Sequence, residues 1–390
     1  MPKNNQQPPL ILSIDTSCDE TAAAVTLGRV VLSNIIASQA EIHSEYGGVF
    51  PDLAKLAHQE NIEPVIAAAL KRAGISWEQL DALAVTIGPG LAPALEIGIE
   101  AAVNFSQKFN KPLIGVNHLE AHLLSILASR NKRPFKIKQG QANTKNKTKI
   151  KEKSLRIPEW KLKQLNQADF FPALGLIVSG GHSEFVLIKK IGQYQVLGQT
   201  VDDAAGEALD KVGRMINLGY PAGPVLEKLA KKGNPAAFDF PLPMTTIKNY
   251  NLSYSGLKTA ALRQVRLLEN NNQLNRQAVF DFAASFQQIV VRHLTYKLKS
   301  LLSDLQPQYQ FTQLWLGGGV AANLELRKQL RQTLKLFSIK LHTPFEKRLC
   351  GDNAAMIGIA AGFKHQANLS LTPDQTDRRP NWSVEQSWEI

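Results

Sequence analysis

The sequence predicts an α/β protein of two tandem lobes, each ordered βββαβαβα, with a cleft between them. Three observations carry this. Short apolar runs alternate with helical periods after a three-strand meander, as in a mixed sheet flanked by helices. That order is written twice along the chain, before and after a lysine-rich stretch. Both halves open alike, on a strand, a turn of small polar residues and a second strand: "ILSIDTSCDETAAAV" (11–25) and "GLIVSGGHSEFVLI" (175–188).

From Pro9, "PLILSIDTS", "ETAAAVTLG" and "RVVLSNIIAS" are short apolar or alternating runs bounded by turn residues, and so predict three strands. Phe50–Ala73 carries apolar residues at helical spacing and stops at Gly74. A strand "DALAVTIG", a helix "APALEIGIEAAVNFSQKF", a strand "PLIGV" and a helix "HLEAHLLSILA" complete the first lobe, 9–130. The second lobe, 169–366, begins with "ALGLIVSG", "SEFVLIKK" and "YQVLGQT", then the helix "DDAAGEALDKVGRMI". A helical insertion at about 218–275 contains "YPAGP" and "LSYSGLKT". A long helix (about 276–303), the strand "QLWLG", the helix "AANLELRKQLRQTLKL", the strand "IKLHT" and the helix "NAAMIGIAAGF" follow, then a tail, 367–390.

With 390 residues, the chain is long for one core, and two domains is the default. It is 44% apolar and 20% charged, as soluble globular proteins are. It has no uninterrupted apolar run of about 18 residues, so no membrane span is expected. "MPKNNQQPPL" lacks an apolar signal core and reads as a frayed polar leader. Cys18 and Cys350 are too few for a disulfide framework, which points to a reducing cytoplasm. Of the net charge of +12, +10 sits in residues 131–163, where twelve Lys/Arg face two Asp/Glu. Residues 131–168 are therefore expected to form a basic, mobile surface loop. Its lysines either meet a nucleic-acid backbone or are simply solvated.

Glycine and histidine patterns carry the chemistry. Two small-residue turns facing one cleft can converge backbone N–H groups on an anion. This resembles the phosphate grip of the sugar-kinase and actin superfamily. "QLWLGGGVAAN" sets Gly317, Gly318 and Gly319 between a strand and a helix, where free N–H groups and the helix dipole suit a nucleotide. Asn323 could bond that ligand or cap the helix, and Asp210 in "GEALDK" could accept ribose hydroxyls or pair with Lys211. In "NHLEAH", His118 and His122 are i and i+4, with Cβ atoms about 5–6 Å apart on one helix face, a spacing that suits one metal ion. A metalloprotease would carry glutamate directly after the first histidine. Leu119 stands there, and Glu120 lies about 200° around the helix. A third ligand must come from elsewhere. Asp352 in "CGDNAAMIG" is one possibility, and it could also cap the helix it starts.

Ten segments, "IDTSCDET", "SEYGGVFPDLA", "GPGLAPAL", "NHLEAH", "IVSGGHSE", "DDAAGEALDKVGRM", "GYPAGP", "LSYSGLKTA", "GGGVAAN" and "CGDNAAMIG", occur in the order seen in the TsaD family of tRNA threonylcarbamoyladenosine transferases, which this chain resembles. The resemblance implies two ribonuclease-H-like lobes of the sugar-kinase and actin superfamily. It implies transfer of a threonylcarbamoyl group from threonylcarbamoyl-AMP to N6 of adenosine 37 in tRNAs reading codons that start with A. It also implies one divalent metal, Fe2+ or Zn2+, on His118, His122 and Asp352, and adenylate contacts at Ile177, Val178, Ser179, Gly180, Gly181, Asp210, Gly223 and Asn323. The implied partners are tRNA, a pseudo-homologous subunit and a small ATPase, with no membrane. For such a reaction Asp19 and Glu20, in the first turn, are candidates to take the amine proton, or else cap that turn.

The rival readings are a metal-dependent sialoglycoprotein endopeptidase, a sugar kinase or ATPase, and a non-catalytic scaffold. The first lacks its base. The second would hold magnesium through carboxylates and water rather than paired histidines. Lys55–Leu56, Pro93, Glu96 and Ala222 depart from the usual family pattern, and alanine at 222 requires a negative φ or strain.

Overall fold

The computed structural model describes residues 7–130 and 170–389. The basic run 131–163, and the loop drawn around it, lie outside the described residues. In the first lobe β1 (Leu10–Asp15), β2 (Glu20–Leu27) and β3 (Val30–Ser38) form the meander. They are followed by α1 (Ala40–Ser44), α2 (Pro51–Ala73), β4 (Ala82–Gly88), α3 (Ala92–Phe109), β5 (Leu113–Asn117), α4 (His118–Leu124) and the short β6 (Ser129–Arg130). The second lobe repeats this with β7 (Ala173–Val178), β8 (Ser183–Lys190), β9 (Gln193–Gln199) and α5 (Ala205–Met215). The insertion supplies α6 (Gly223–Ala230) and α7 (Ser255–Asn270). Then come α8 (Arg276–Tyr309), β10 (Gln313–Gly317), α9 (Leu324–Lys335), β11 (Lys340–His342) and α10 (Ala354–Gln366).

The sheet orders are β5-β4-β1-β2-β3-β6 and β11-β10-β7-β8-β9. In each, the meander is antiparallel, one later strand (β4 or β10) joins its first strand in parallel and the next (β5 or β11) joins that one in parallel; in the first sheet β6 also adds in parallel to β3. The duplicated α/β fold is therefore present as tandem ribonuclease-H-like lobes. Local chemistry sets the ends. Gly74, at φ 69°, closes α2 in the left-handed conformation that glycine adopts without penalty. Ala222 has φ −84°, so alanine is unstrained there.

The last helix of each repeat crosses to the other sheet. Ser13 Oγ donates to Ala354 O at 2.6 Å, and a Cβ on Gly358 would collide with Thr26 and Ser13, so α10 lies directly on the first sheet. A Cβ on Gly175 would meet Leu123, and one on Gly317 would meet the His122 carbonyl, so α4 lies directly on β7 and β10. The two helices and both sheets share one buried apolar cluster that includes Leu119, Leu123, Trp315, Met356 and Ile359. The parallel strands consequently deliver their carboxyl ends, Asp15, Asn117, Val178 and Gly317, to one cleft, where open α/β sheets bind ligands.

Two of the unusual residues meet. Lys55 on α2 lies 3.5 Å from Glu96 on α3, and Arg378 of the tail also pairs with Glu96. No helix among the described residues is long and apolar enough to cross a membrane.

Candidate active site

A cavity of about 740 Å³ opens between the lobes. Its walls include the first turn (Ser17 to Glu20), the second turn (Ser179 to His182), the third glycine cluster (Gly319, Val320), the segment Gly351–Asp352 and one face of α5. The two opening turns thus face one space. Burial and the neutral His58 hold the first turn: the His58 Nε2–H donates to Cys18 O at 3.0 Å, and its Nδ1 accepts from the Thr21 hydroxyl at 2.8 Å.

The three metal-ligand candidates converge. His122 Nε2 is 3.2 Å and His118 Nε2 3.5 Å from Asp352 Oδ1, and one donor atom from each residue lies within 4.8 Å of the others. Four donors at 2.0–2.1 Å around a tetrahedral ion stand ~3.3 Å apart, so the spacing fits a cation. The imidazole centroids are 4.6 Å apart at 79°. Asn117 caps α4 by accepting from Leu119 N and Glu120 N, which starts the helix with His118 as its first residue. Asn353, not Asp352, caps α10, accepting from Met356 N at 3.2 Å. The expectation that Asp352 might do both jobs is therefore corrected: its oxygen is left for the histidines.

Asp352 and His122 carry the charge states that a bound cation needs, and His118 must give up a proton to ligate. Burial would raise Asp352, but the two histidines hold it well below the ordinary carboxylate range. Burial, joined by His118, lowers His122, which is neutral and ready to ligate. Burial also opposes charge on His118, yet Asp352 and Asp15 outweigh it and raise the imidazole to about 9. Asp15 Oδ2 and His118 Nδ1 are 3.7 Å apart, and neither atom has a hydrogen-bond partner among the described residues. Sequence reasoning missed Asp15, although a carboxylate ending the first strand is a readable signal. A carboxylate behind a ligating imidazole fixes its ring and raises its basicity.

Ser179, Gly180, Gly181, Asp210, Gly223 and Asn323 line the cavity. Ile177 and Val178 do not line it; their side chains are fully buried in β7. Ser179 N–H is spent on His182 O at 2.8 Å, which leaves the N–H groups of Gly180 and Gly181 without an acceptor among the described residues. A Cβ on Gly180, Gly181 or Gly351 would touch no protein atom within 4 Å. The room there is not used for packing. Asp210 Oδ1 accepts from Gly223 N at 2.7 Å, so these two expected contacts bind each other. Lys211 pairs instead with Asp203 and Glu207. Asn323 is the N-cap of α9: its Oδ1 accepts from Leu326 N and its Nδ2 donates to Gln287. Its amide is committed to capping α9 and to a bond with α8.

Asp19 and Glu20 both face the cavity, and burial together with Asp19 raises the Glu20 carboxyl well above its ordinary value. His182, Tyr220 and Arg214 also line the cavity and carried no sequence signal of their own. Burial, with His118 and His122 nearby, lowers His182 to about 4. Arg214 donates to Gly47 O across the mouth, joining the two lobes. Glu120 faces away from the cavity, toward Tyr194, Trp388 and Lys364.

A family model for tRNA N6-adenosine threonylcarbamoyltransferase, TsaD, matches residues 30–137 and 160–359. The chain is 42% identical over 356 residues to the tRNA N6-adenosine threonylcarbamoyltransferase of Nostoc punctiforme, covering 90% of each protein. It is 43% identical over 374 residues to that of Thermosynechococcus vestitus, covering 94% of each. Among solved structures, T. kodakarensis HypF shares the fold, with a TM-score of 0.53 at 13% identity over 93% of this chain and 48% of that one. With its ten motifs in order, its cleft built from both repeats and this agreement over most of its length, the chain belongs to the TsaD family of tRNA N6-adenosine threonylcarbamoyltransferases.

Proposed function

We propose that this chain transfers the threonylcarbamoyl group from threonylcarbamoyl-AMP to N6 of adenosine 37 in tRNAs reading codons that begin with A. The observation that carries this reading, within a chain of this family, is the cavity that joins two imidazoles and a carboxylate to glycine turns from both lobes. The adenine amine is a poor nucleophile because its lone pair is delocalised into the ring. It must attack the carbamoyl carbon, lose a proton, and expel AMP as the C–O bond to phosphate breaks.

His118, His122 and Asp352 would hold one divalent ion, Fe2+ or Zn2+, which when bound supplies Lewis acidity beside the substrate oxygens. The N–H groups of Gly180 and Gly181, free among the described residues, would hold phosphate or a developing oxyanion. Asp19 and Glu20, which line the cavity, would receive the amine proton; the raised Glu20 makes the stronger base when ionised. Asp210, bonded to Gly223, would form the wall beside the adenylate. Asn323 shapes the α9 start, and Ile177 and Val178 carry the strand that presents the turn. The family resemblance supports a pseudo-homologous partner subunit, a small ATPase and a cytoplasmic site of action.

The endopeptidase reading is not favoured. Glu120, the only glutamate of the histidine motif, is turned into a buried network behind α4 and cannot serve as its general base. Metal analysis paired with a transfer assay on synthetic threonylcarbamoyl-AMP and tRNA tests the proposal. Product on adenosine 37 that disappears on chelation and returns with Fe2+ or Zn2+ is expected. Full transfer by metal-free protein would overturn the metal assignment, and no transfer by the metal-loaded protein with its partners would overturn the reaction.

A further inference from the structure

The carboxyl-terminal strap, residues 377–389, has no part in the reaction described above, yet it grips the helix that bears two ligands. α4 is seven residues long, too short to be stable by itself, so its position depends on what holds it. Two separate contacts do so. Asn117, its N-cap, donates through Nδ2 to Trp382 O at 3.1 Å and Ser383 O at 3.2 Å. Glu120, fully buried, accepts on Oε1 from Trp388 Nε1 at 2.6 Å and from Tyr194 of β9 at 2.9 Å. Its Oε2 lies 3.6 Å from Lys364 Nζ, near the far end of α10, the helix that Asp352 precedes. Lys364 also donates to Ser387 O in the strap and to Gly115 O in β5 at 3.1 Å.

The strap is itself tied to both lobes. Arg379 N donates to Ile87 O, and Glu385 accepts from Val196 N at 2.7 Å. A Cβ on Gly192, in the β8–β9 turn, would strike the Trp388 ring at 2.5 Å, so glycine there admits the indole.

We infer that Glu120 and Trp388 are positioning residues: through the strap they set α4 against α10 and so fix the separation of His118 and His122 from Asp352. The inference rests on the metal assignment for its function but not for its geometry. Truncating the indole N–H removes one anchor of α4 without touching a ligand. Removing a partner bonded directly to a ligand typically weakens metal binding by about 10–100-fold; Glu120 and Trp388 bond no ligand and act through the placement of α4, which puts the expected loss at the lower end of that range.

Trp388→Phe and Glu120→Gln in the full chain are compared with wild type and with Val265→Ala, a buried change on α7. The probe is Co2+ alone, read by its ligand-field absorption and its affinity, with hydrogen exchange of residues 118–124 in metal-free protein. The expected result for Trp388→Phe is Co2+ affinity down about tenfold, shifted absorption bands and faster exchange in α4, none of which Val265→Ala reproduces. Wild-type spectra, affinity within twofold and unchanged exchange in both Trp388→Phe and Glu120→Gln would overturn the inference. So would equal losses in Val265→Ala at the same drop in Tm. If Trp388→Phe does not fold, the isosteric Glu120→Gln decides by the same readouts. If wild type binds no Co2+, the metal assignment falls, and exchange in α4 still decides whether the strap positions it.

Discussion

Gly181→Ala and Gly317→Ala are the same chemical change beside the same cleft, and the structure predicts opposite effects on stability. At Gly181 the added Cβ meets no protein atom within 4 Å, and φ lies outside the left-handed region. The only effect on folding is a less flexible unfolded chain, worth about 0.4–1 kcal/mol in favour of the native state. At Gly317 the Cβ would sit 2.5 Å from His122 O and 2.8 Å from His122 C, backbone atoms that cannot swing aside. Either α4 or β10 must shift, at an overpacking cost of about 1–3 kcal/mol. The two variants should therefore differ by ~1.4–4 kcal/mol in urea unfolding at equal m-value. Ligand binding reverses the order of interest. The Gly181 methyl occupies the space beside the free N–H groups, so calorimetric affinity for a non-reactive analogue of threonylcarbamoyl-AMP should fall at least about tenfold, or 1.4 kcal/mol. Gly317→Ala should lose metal with its displaced His122. A Gly181→Ala protein that binds the analogue as tightly as wild type would refute the assignment of this turn to the ligand. Equal destabilisation of the two variants would refute the packing argument.

His118→Ala and His122→Ala should each lose bound metal and transfer activity together while the circular-dichroism spectrum and cooperative melt persist; metal content equal to wild type would sink the ligand set. Burial, with Glu385 nearby, raises the Glu184 carboxyl from 4.5 to about 7. The folded chain thus keeps a proton that the unfolded chain has released, and stability falls as pH rises from about 4.5 through 7, by on the order of 3 kcal/mol in total. Glu184→Gln should flatten that slope in melts taken across about pH 4–9, and a slope identical to wild type would exclude Glu184 as its source. Lys55→Ala breaks a half-exposed pair with Glu96 and should cost under about 1 kcal/mol, checked by the shift in urea midpoint.

Much of the architecture was legible because it is written in short-range pattern. The helix 92–109 and the strand 313–317 stand where their apolar periods placed them, and Gly74 ends α2 as its position after the last apolar residue implied. Boundaries slipped where several local solutions compete. The run 118–128 tightens to a 3-10 turn after Leu124, because Ser125 Oγ bonds back to His122 O and α4 must end against β10. Asn323 and Asn353 cap helices by short polar side chains, a role the sequence allowed for Asn323 but placed on Asp352 in the second case.

The sequence by itself determined the repeat, the strand and helix types, the i, i+4 histidines and the side of α4 from which Glu120 is excluded. These depend on neighbours within about one helical turn, whose relative directions the backbone period dictates. Only the tertiary structure decided that Asp352, 230 residues beyond His122, closes the ligand set, that Asp15 stands behind His118, and that Trp388, 268 residues away, reaches Glu120. Contacts between such distant residues are set by how α4 and α10 cross between the sheets, a packing arrangement that no local period encodes.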